Sequence, residues 1–165
     1  MLSECTMASP VGELTLVASE QGLRAILWAE ERAGRVTLPE RRGDPAHDVL
    51  AEAMRQLAEY FAGERRAFDL PLDPVGTEFQ RAVWTGLNAI PYGETRSYAA
   101  LAAAIGRPGA SRAVGGANGR NPLSIVTPCH RVIGANGTLT GFAGGLAVKQ
   151  WLLAHERGER ALALT

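Results

Sequence analysis

Cys129 and His130 are the residues best equipped for chemistry, adjacent to each other and directly after Pro128. A thiolate is the strongest nucleophile among side chains, and an imidazole beside it can take its proton. Pro128 fixes its own φ and removes a backbone donor. On a regular strand, neighbouring side chains point to opposite faces, so cooperation requires a turn of the chain here or a bridging water. A buried structural cysteine beside a surface histidine fits the same dipeptide. Glu156 is one of two acids after residue 94 and lies four residues after Leu152, at the end of a helical segment. On the buried face it needs a partner, which His130 can be; at a solvated helix end it needs none. A carboxylate behind the imidazole fixes its tautomer and raises its basicity, which predicts a depressed Cys129 pKa and a thiol more reactive than Cys5. His47, His130, His155 and the two cysteines have no metal-ligand spacing, so no metal is expected.

A second constellation lies just upstream. Ser97 caps a short helix from Tyr98 to Ile105, Gly106-Arg107-Pro108-Gly109 makes a tight turn, and Ala110 to Asn118 forms a second short helix. This is the helix-turn-helix pattern, shared with many other αα-hairpins. The second helix displays one long basic side chain, Arg112, and carries Gly115 and Gly116 in its body. A major-groove reader presents several Asn, Gln or Arg side chains to base edges, and this helix does not. Its smooth face suits a narrow groove and phosphate contacts, or tight packing against another helix.

The elements around these residues divide the chain in two. Residues 3–29 read as a β-meander, with turns at Ser9-Pro10-Val11-Gly12 and Glu20-Gln21-Gly22. Residues 30–46, charged and broken by glycine and proline, read as a loop. Leu50, Met54, Leu57 and Phe61 align on one face of a helix from Val49 to Phe61, which Gly63 ends. The proline-punctuated stretch Leu70 to Pro74 marks a boundary. Beyond it, Thr77 and Gln80 form a capping box for a helix to Leu87 with the stripe Phe79, Val83, Trp84 and Leu87. Residues 125–133 read as strand-like, Gly134 to Gly145 as a loop, and Leu146 to Glu156 as a final helix. The expected fold is α/β in two domains: residues 1–73, a small β-sheet with a helix, and residues 74–165, mostly helical with the helix-turn-helix.

With 165 residues the chain can bury a core without staples, and 46% apolar against 21% charged residues excludes wholesale disorder. The uncharged stretch Val132 to Val148 holds five glycines and is no membrane span. Met1 to Cys5 lacks a basic region and an apolar run, so no export signal is read, and free cysteines then suggest a reducing, cytoplasmic setting. Zero net charge hides a division. Residues 1–94 carry nine arginines and fifteen acids, a net of −6, while residues 95–165 carry seven arginines, Lys149 and two acids, a net of +6. The basic half points to a polyanionic partner or to attraction between the halves.

The run Ile125 to Ile133, with Pro128-Cys129-His130-Arg131 at its centre, resembles the active-site signature of the O6-alkylguanine-DNA alkyltransferases. Pro91 to Tyr98, Arg112-Ala113-Val114-Gly115, Asn121-Pro122 and Gly144 to Lys149 are similar to that family in order and spacing. The resemblance is strong over residues 75–156 and loose before them. It implies a single-use DNA repair protein needing no cofactor: a flipped O6-alkylguanine, and in some members O4-alkylthymine, gives its alkyl group to Cys129. By that resemblance His130 acts as base through a water, Glu156 orients it and Asn121 holds the active-site turn. Tyr98 donates to the guanine and helps rotate the nucleotide. Arg112 fills the gap left in the stack, and the Val132 carbonyl, Phe142 and Ala143 line the pocket. Ala113, Gly115 and Arg107 join Tyr98 and Arg112 in binding double-stranded DNA from the minor groove. The protein is expected to be a monomer when free, with room for cooperative assembly on DNA. Some members bind zinc in the first domain, but Ser19 to Arg24 stands here at the matching turn and no zinc is expected. Ala143 replaces a serine common in relatives, which removes one hydrogen bond to the base. A cysteine hydrolase acting on acyl groups through Cys129, His130 and Glu156 is one alternative, and a plain helix-turn-helix module is another. The number of alkyl groups accepted per chain separates them.

Overall fold

The computed structural model describes residues 1–159 and 163–164. Strands β1 (Leu2–Met7), β2 (Leu14–Ala18) and β3 (Leu23–Trp28) form the expected antiparallel meander. The charged loop after it holds one strand that its sequence does not announce. The three exposed residues of β4 (Arg41–Gly43) pair in parallel with β1, giving the order β3-β2-β1-β4. No apolar alternation marks this edge strand. It is held by backbone bonds and by an ion pair from Arg41 to Glu4 at 2.8 Å.

Helix α1 (Asp48–Phe61) lies against β1–β3. Its buried stripe is Leu50, Ala53, Leu57 and Tyr60, while Met54 and Phe61 are half-buried. The stripe is therefore rotated from the one expected, because Tyr60 turns inward and takes the place assigned to Phe61. Gly63, at φ +80°, ends the helix in the left-handed conformation that glycine adopts without steric cost. The stretch leading to Pro74 then runs along the free edge of β3: the Leu23 amide donates to the Pro71 carbonyl and the Asp73 amide to the Leu23 carbonyl, both at 2.8 Å.

The second half contains α2 (Glu78–Asn88), with both bonds of its Thr77–Gln80 capping box made, then β5 (Arg96–Ser97), α3 (Tyr98–Ala104) and α4 (Ser111–Gly119). Ser97 caps α3 by accepting from the Ala100 amide at 3.0 Å. A single 3-10 turn at Cys129–Arg131, β6 (Val132–Ile133) and α5 (Leu146–Glu156) complete the fold, with β6 parallel to β5. The fold is α/β as expected, an N-terminal sheet followed by a mainly helical half. Its largest apolar cluster spans both halves, joining Leu14, Leu16, Ile26, Leu50 and Leu57 to Leu123, Ile125, Val126, Trp151 and Leu152. A second cluster, wholly in the later half, holds Val83, Trp84, Leu87, Leu101, Val114 and Cys129.

Candidate active site

The segment expected to be strand-like over residues 125–133 is extended only at Val132–Ile133. Before that it winds. The Thr127 amide bonds back to the Leu123 carbonyl at 2.8 Å, the Cys129 amide to Thr127 at 2.8 Å, and the Arg131 amide to Pro128 at 3.0 Å. Pro128 cannot donate to a ladder, and Asn121 supplies what a ladder would have supplied. Its Nδ2 donates to the Thr127 carbonyl at 2.8 Å and its Oδ1 accepts from the Leu123 amide at 3.0 Å. Inside the loop so closed, Ile125 sits at φ +76°, rare for a β-branched residue. The turn sends Cys129 and His130 to different neighbours. Cys129 lies in the helical cluster with Val132, against which Tyr98 and Phe142 pack.

His130 faces α5. Its Nε2 lies 2.6 Å from Glu156 Oε2, with the imidazole fully buried and the carboxylate 1% exposed. A carboxylate only accepts, so Nε2 carries the hydrogen and Nδ1 the lone pair. That Nδ1 is buried with no hydrogen-bond partner among the described residues. Arg131 grips the same carboxylate, with Nε at 2.7 Å from Oε1 and Nη2 at 3.0 Å from Oε2, and the Gly93 amide donates to Oε1 at 3.3 Å. Burial alone would raise the Glu156 pKa. The hydrogen bonds and charges of His130 and Arg131 overcome it and hold the group well below the usual carboxylate range.

Burial has the opposite outcome for the reactive pair. It pushes the Cys129 thiol up, against the pull of Asn121, Arg35, Ser124 and Lys149. It pushes His130 down, outweighing Glu156. The expected depressed thiol pKa is thus corrected: the carboxylate is in place, but desolvation dominates, and the resting pair is a neutral thiol beside a neutral imidazole.

The remaining expected residues spread over the surrounding elements. Tyr98, at the start of α3, has its hydroxyl hydrogen-bonded to Thr140 of the glycine-rich loop. Phe142 of that loop meets Trp28 edge-on at 5.7 Å. Gly144 is required there, since a Cβ would lie 2.9 Å from both rings. Ala143 lines a neighbouring groove of about 570 Å³ with Trp28, Val11 and Val148. The Val132 carbonyl accepts from Lys149 Nζ at 2.7 Å. Arg112 and Ala113 are exposed on α4, and Arg107 stands over the Phe79 ring at 5.8 Å. Packing does not explain the glycines of α4: a Cβ on Gly115 would make ordinary contact with Tyr98 at 3.7 Å, and one on Gly116 would meet nothing within 4 Å.

Three charged side chains to which the sequence reading assigns no role belong to this site. Arg131 was visible as a cation inside an apolar run, and Lys149, fully buried, is the sole lysine of the chain. Arg35 gave no such signal. It comes from the charged loop of the first half, is buried, and donates to the backbone carbonyls of Asn121 and Ile26.

The comparisons with known proteins cover both halves of the chain. Residues 3–74 match the family model for the ribonuclease-like domain of 6-O-methylguanine DNA methyltransferase, and residues 78–158 match the model for its DNA binding domain. A methylated-DNA–protein-cysteine methyltransferase of Mycolicibacterium paratuberculosis is 50% identical over 166 residues, covering 100% of this chain and 98% of its own. One from Methanosarcina acetivorans is 50% identical over 148 residues, covering 90% and 94%. The crystal structure of Mycobacterium tuberculosis OGT in complex with DNA aligns with a TM-score of 0.84 at 47% identity, over 95% of this chain and 92% of that one. Matched in both halves, and at half identity along its full length, the chain belongs to the 6-O-methylguanine DNA methyltransferase family.

Proposed function

We propose that the protein repairs alkylated DNA by transferring the alkyl group of O6-alkylguanine to Cys129, once per chain. The observation that carries the assignment is the buried imidazole of His130, fixed at Nε2 by Glu156 and unpartnered at Nδ1, next to a buried thiol. Cys129 Sγ attacks the alkyl carbon, an S–C bond forms and the C–O6 bond breaks. The thiol proton passes through a water to His130 Nδ1, and the departing guanine takes a proton from the Tyr98 hydroxyl, which regains one from water as His130 gives its own up to solvent. A protonated thiol at rest suits this order, since it is inert until a base enters and the proton can move with the alkyl group. Asn121 keeps the turn closed. Phe142, Ala143 and the Val132 carbonyl receive the flipped base, and the Val132 oxygen keeps a second lone pair beside its bond from Lys149.

DNA is the partner, met by α4 through the minor groove. Gly116 supports this reading: a helical glycine costs roughly 1 kcal/mol relative to alanine, and nothing in the protein occupies the space its missing Cβ leaves. Gly115, Ala113, Arg112 and Arg107 extend the same face, with Arg112 entering the stack when the nucleotide leaves it. We further assign the first domain to residues 1–73 and the second to 74–165, a monomeric free state and a cytoplasmic setting. O4-alkylthymine is a second substrate to try. No described helix is long and apolar enough to cross a membrane.

The test is stoichiometric. Duplex DNA carrying a labelled O6-methylguanine is expected to transfer one methyl group per chain, found by peptide mass on Cys129, and the Cys129→Ser variant is expected to accept none. Several equivalents per chain, or label elsewhere, would overturn the assignment.

A further inference from the structure

The Glu156 carboxylate has a ligand that comes from the other half of the molecule. Tyr60 lies on the inner face of α1, fully buried, and its hydroxyl donates to Glu156 Oε2 at 2.6 Å. This is the same oxygen that holds His130 Nε2. The contact is doubled by the backbone, because the Tyr60 carbonyl lies 2.7 Å from His155 Nε2, one residue before Glu156 on α5. Rings fix the phenol in place: Phe61 at 5.3 Å, Phe68 at 5.5 Å, His155 at 5.1 Å and Tyr92 at 6.2 Å between centroids.

A burial requirement alone would be met by phenylalanine at this position. The hydroxyl instead adds a strong donor to an oxygen that already accepts from Arg131 and His130. Donors on one oxygen share its electron density, so each added donor weakens the hold on the others. We infer that Tyr60 is a positioning residue for the alkyl transfer, through which the first half of the protein sets the basicity of His130. The inference rests on the proposed alkyl transfer for its catalytic meaning, although the geometry stands without it.

The charged and titratable groups facing this pair are few. Arg131 follows His130 on the same turn, Lys149 and His155 face it from α5, and Tyr92 and Arg66 approach from the connecting segments, with Arg66 over the Tyr92 ring at 5.3 Å. Cys129 lies on the other side, coupled to Lys149. The hydrogen bond of the Tyr60 hydroxyl goes to Glu156, and none of these groups shares it.

The experiment is a titration of His130 by imidazole NMR in wild type, Tyr60→Phe and Tyr60→Met, with the signal assigned by its loss in His130→Gln. Removing the hydroxyl leaves Oε2 to His130 and Arg131, so the His130 pKa is expected to rise by about half a unit, roughly threefold in its protonation equilibrium. The acid limb of the pH–rate profile for alkyl transfer is expected to move upward by the same amount. Tyr60→Met, which fills the site without a hydroxyl, is expected to do the same, and in a Glu156→Gln background the shift is expected to vanish. Superimposable titrations in folded wild type and both Tyr60 variants would overturn the inference, even if thermal stability fell. A His130 shift in the Tyr60 variants beside a wild type that transfers no alkyl group would instead overturn the proposed function and leave the electrostatic coupling standing.

Discussion

Replacing Glu156 by glutamine changes one atom and is expected to disturb both stability and chemistry. The carboxylate accepts from His130 Nε2, from Arg131 through Nε and Nη2, from the Tyr60 hydroxyl and from the Gly93 amide. A glutamine oxygen can replace one of the two carboxylate oxygens, and its NH2 group then faces donors at the other. If the nitrogen stands at Oε1, it opposes Arg131 Nε and Gly93; at Oε2 it opposes His130, Tyr60 and Arg131 Nη2. Arg131, with its side chain 7% exposed, also loses its counter-charge. Breaking one partner from a buried ion pair costs about 3–5 kcal/mol. For a chain of this size each kcal/mol lowers the melting temperature by about 2–4 °C, so a fall of roughly 6–20 °C is expected by calorimetry. Activity, measured in single turnover well below the lowered transition, is expected to drop by about 10²–10⁴, the usual contribution of a positioned base, because His130 no longer has its tautomer fixed. A variant within 2 °C of wild type and within about threefold in rate would refute the reasoning, since it would mean that the buried cluster tolerates an uncompensated cation and that His130 needs no orientation.

Other perturbations test the remaining parts. Asn121→Ala strands the buried Leu123 amide and Thr127 carbonyl, and the urea midpoint is expected to report a loss of about 2–6 kcal/mol. Stability is expected to fall as pH drops from 6.5. The unfolded imidazole binds a proton there that folded His130, its pKa lowered, does not, so unfolding takes up protons and acid favours it. Urea midpoints across that window are expected to show a shallower slope in His130→Gln, and equal slopes would refute the buried neutral imidazole. Thiol alkylation at Cys129, followed by peptide mass, is expected to rise about tenfold per pH unit through neutrality and to level off only above pH 9.0, because burial raises its pKa from that value; a plateau below 9.0 would refute the neutral resting thiol. Gly116→Leu is expected to keep or raise the melting temperature while duplex affinity, measured by anisotropy, falls at least about tenfold; unchanged affinity would remove α4 from the interface.

The sequence made the frame of this site legible where local rules act alone. The meander, the capping box of α2, the Ser97 cap and the glycine stop after α1 follow from short-range chemistry, and each appears in the fold. The winding of residues 121–131 was harder to see. Ile125, Val126 and Val132 have the composition of a strand, and it is a side chain, Asn121, that competes for their neighbours' backbone groups. The thiol's resting state is hidden from the sequence for a similar reason. A carboxylate can be inferred from the helix end on which it lies, but the burial that outweighs it comes from packing between distant segments. Tyr60 and Arg35 belong to the first half and reach the site across the whole chain, a separation that no pattern of spacing encodes. Arg131 and Lys149 carried more signal, as isolated cations in apolar surroundings.

The pairing around β3 has a consequence for how the molecule avoids its own copies. Sheets associate through free edges, and the four-stranded sheet has two. One is β4, three exposed residues that include two arginines, too short and too charged to template another strand. The other is β3, apolar and six residues long, and it is covered by the chain itself: Pro71 and Asp73 bond to Leu23, and Pro122 bonds to the Ile26 amide at 2.8 Å. The second cover leads straight into the turn that Asn121 holds shut. Opening that turn is therefore expected to free the Ile26 amide and bare an apolar strand edge, and light scattering of Asn121→Ala against wild type checks whether the closed turn also guards against aggregation.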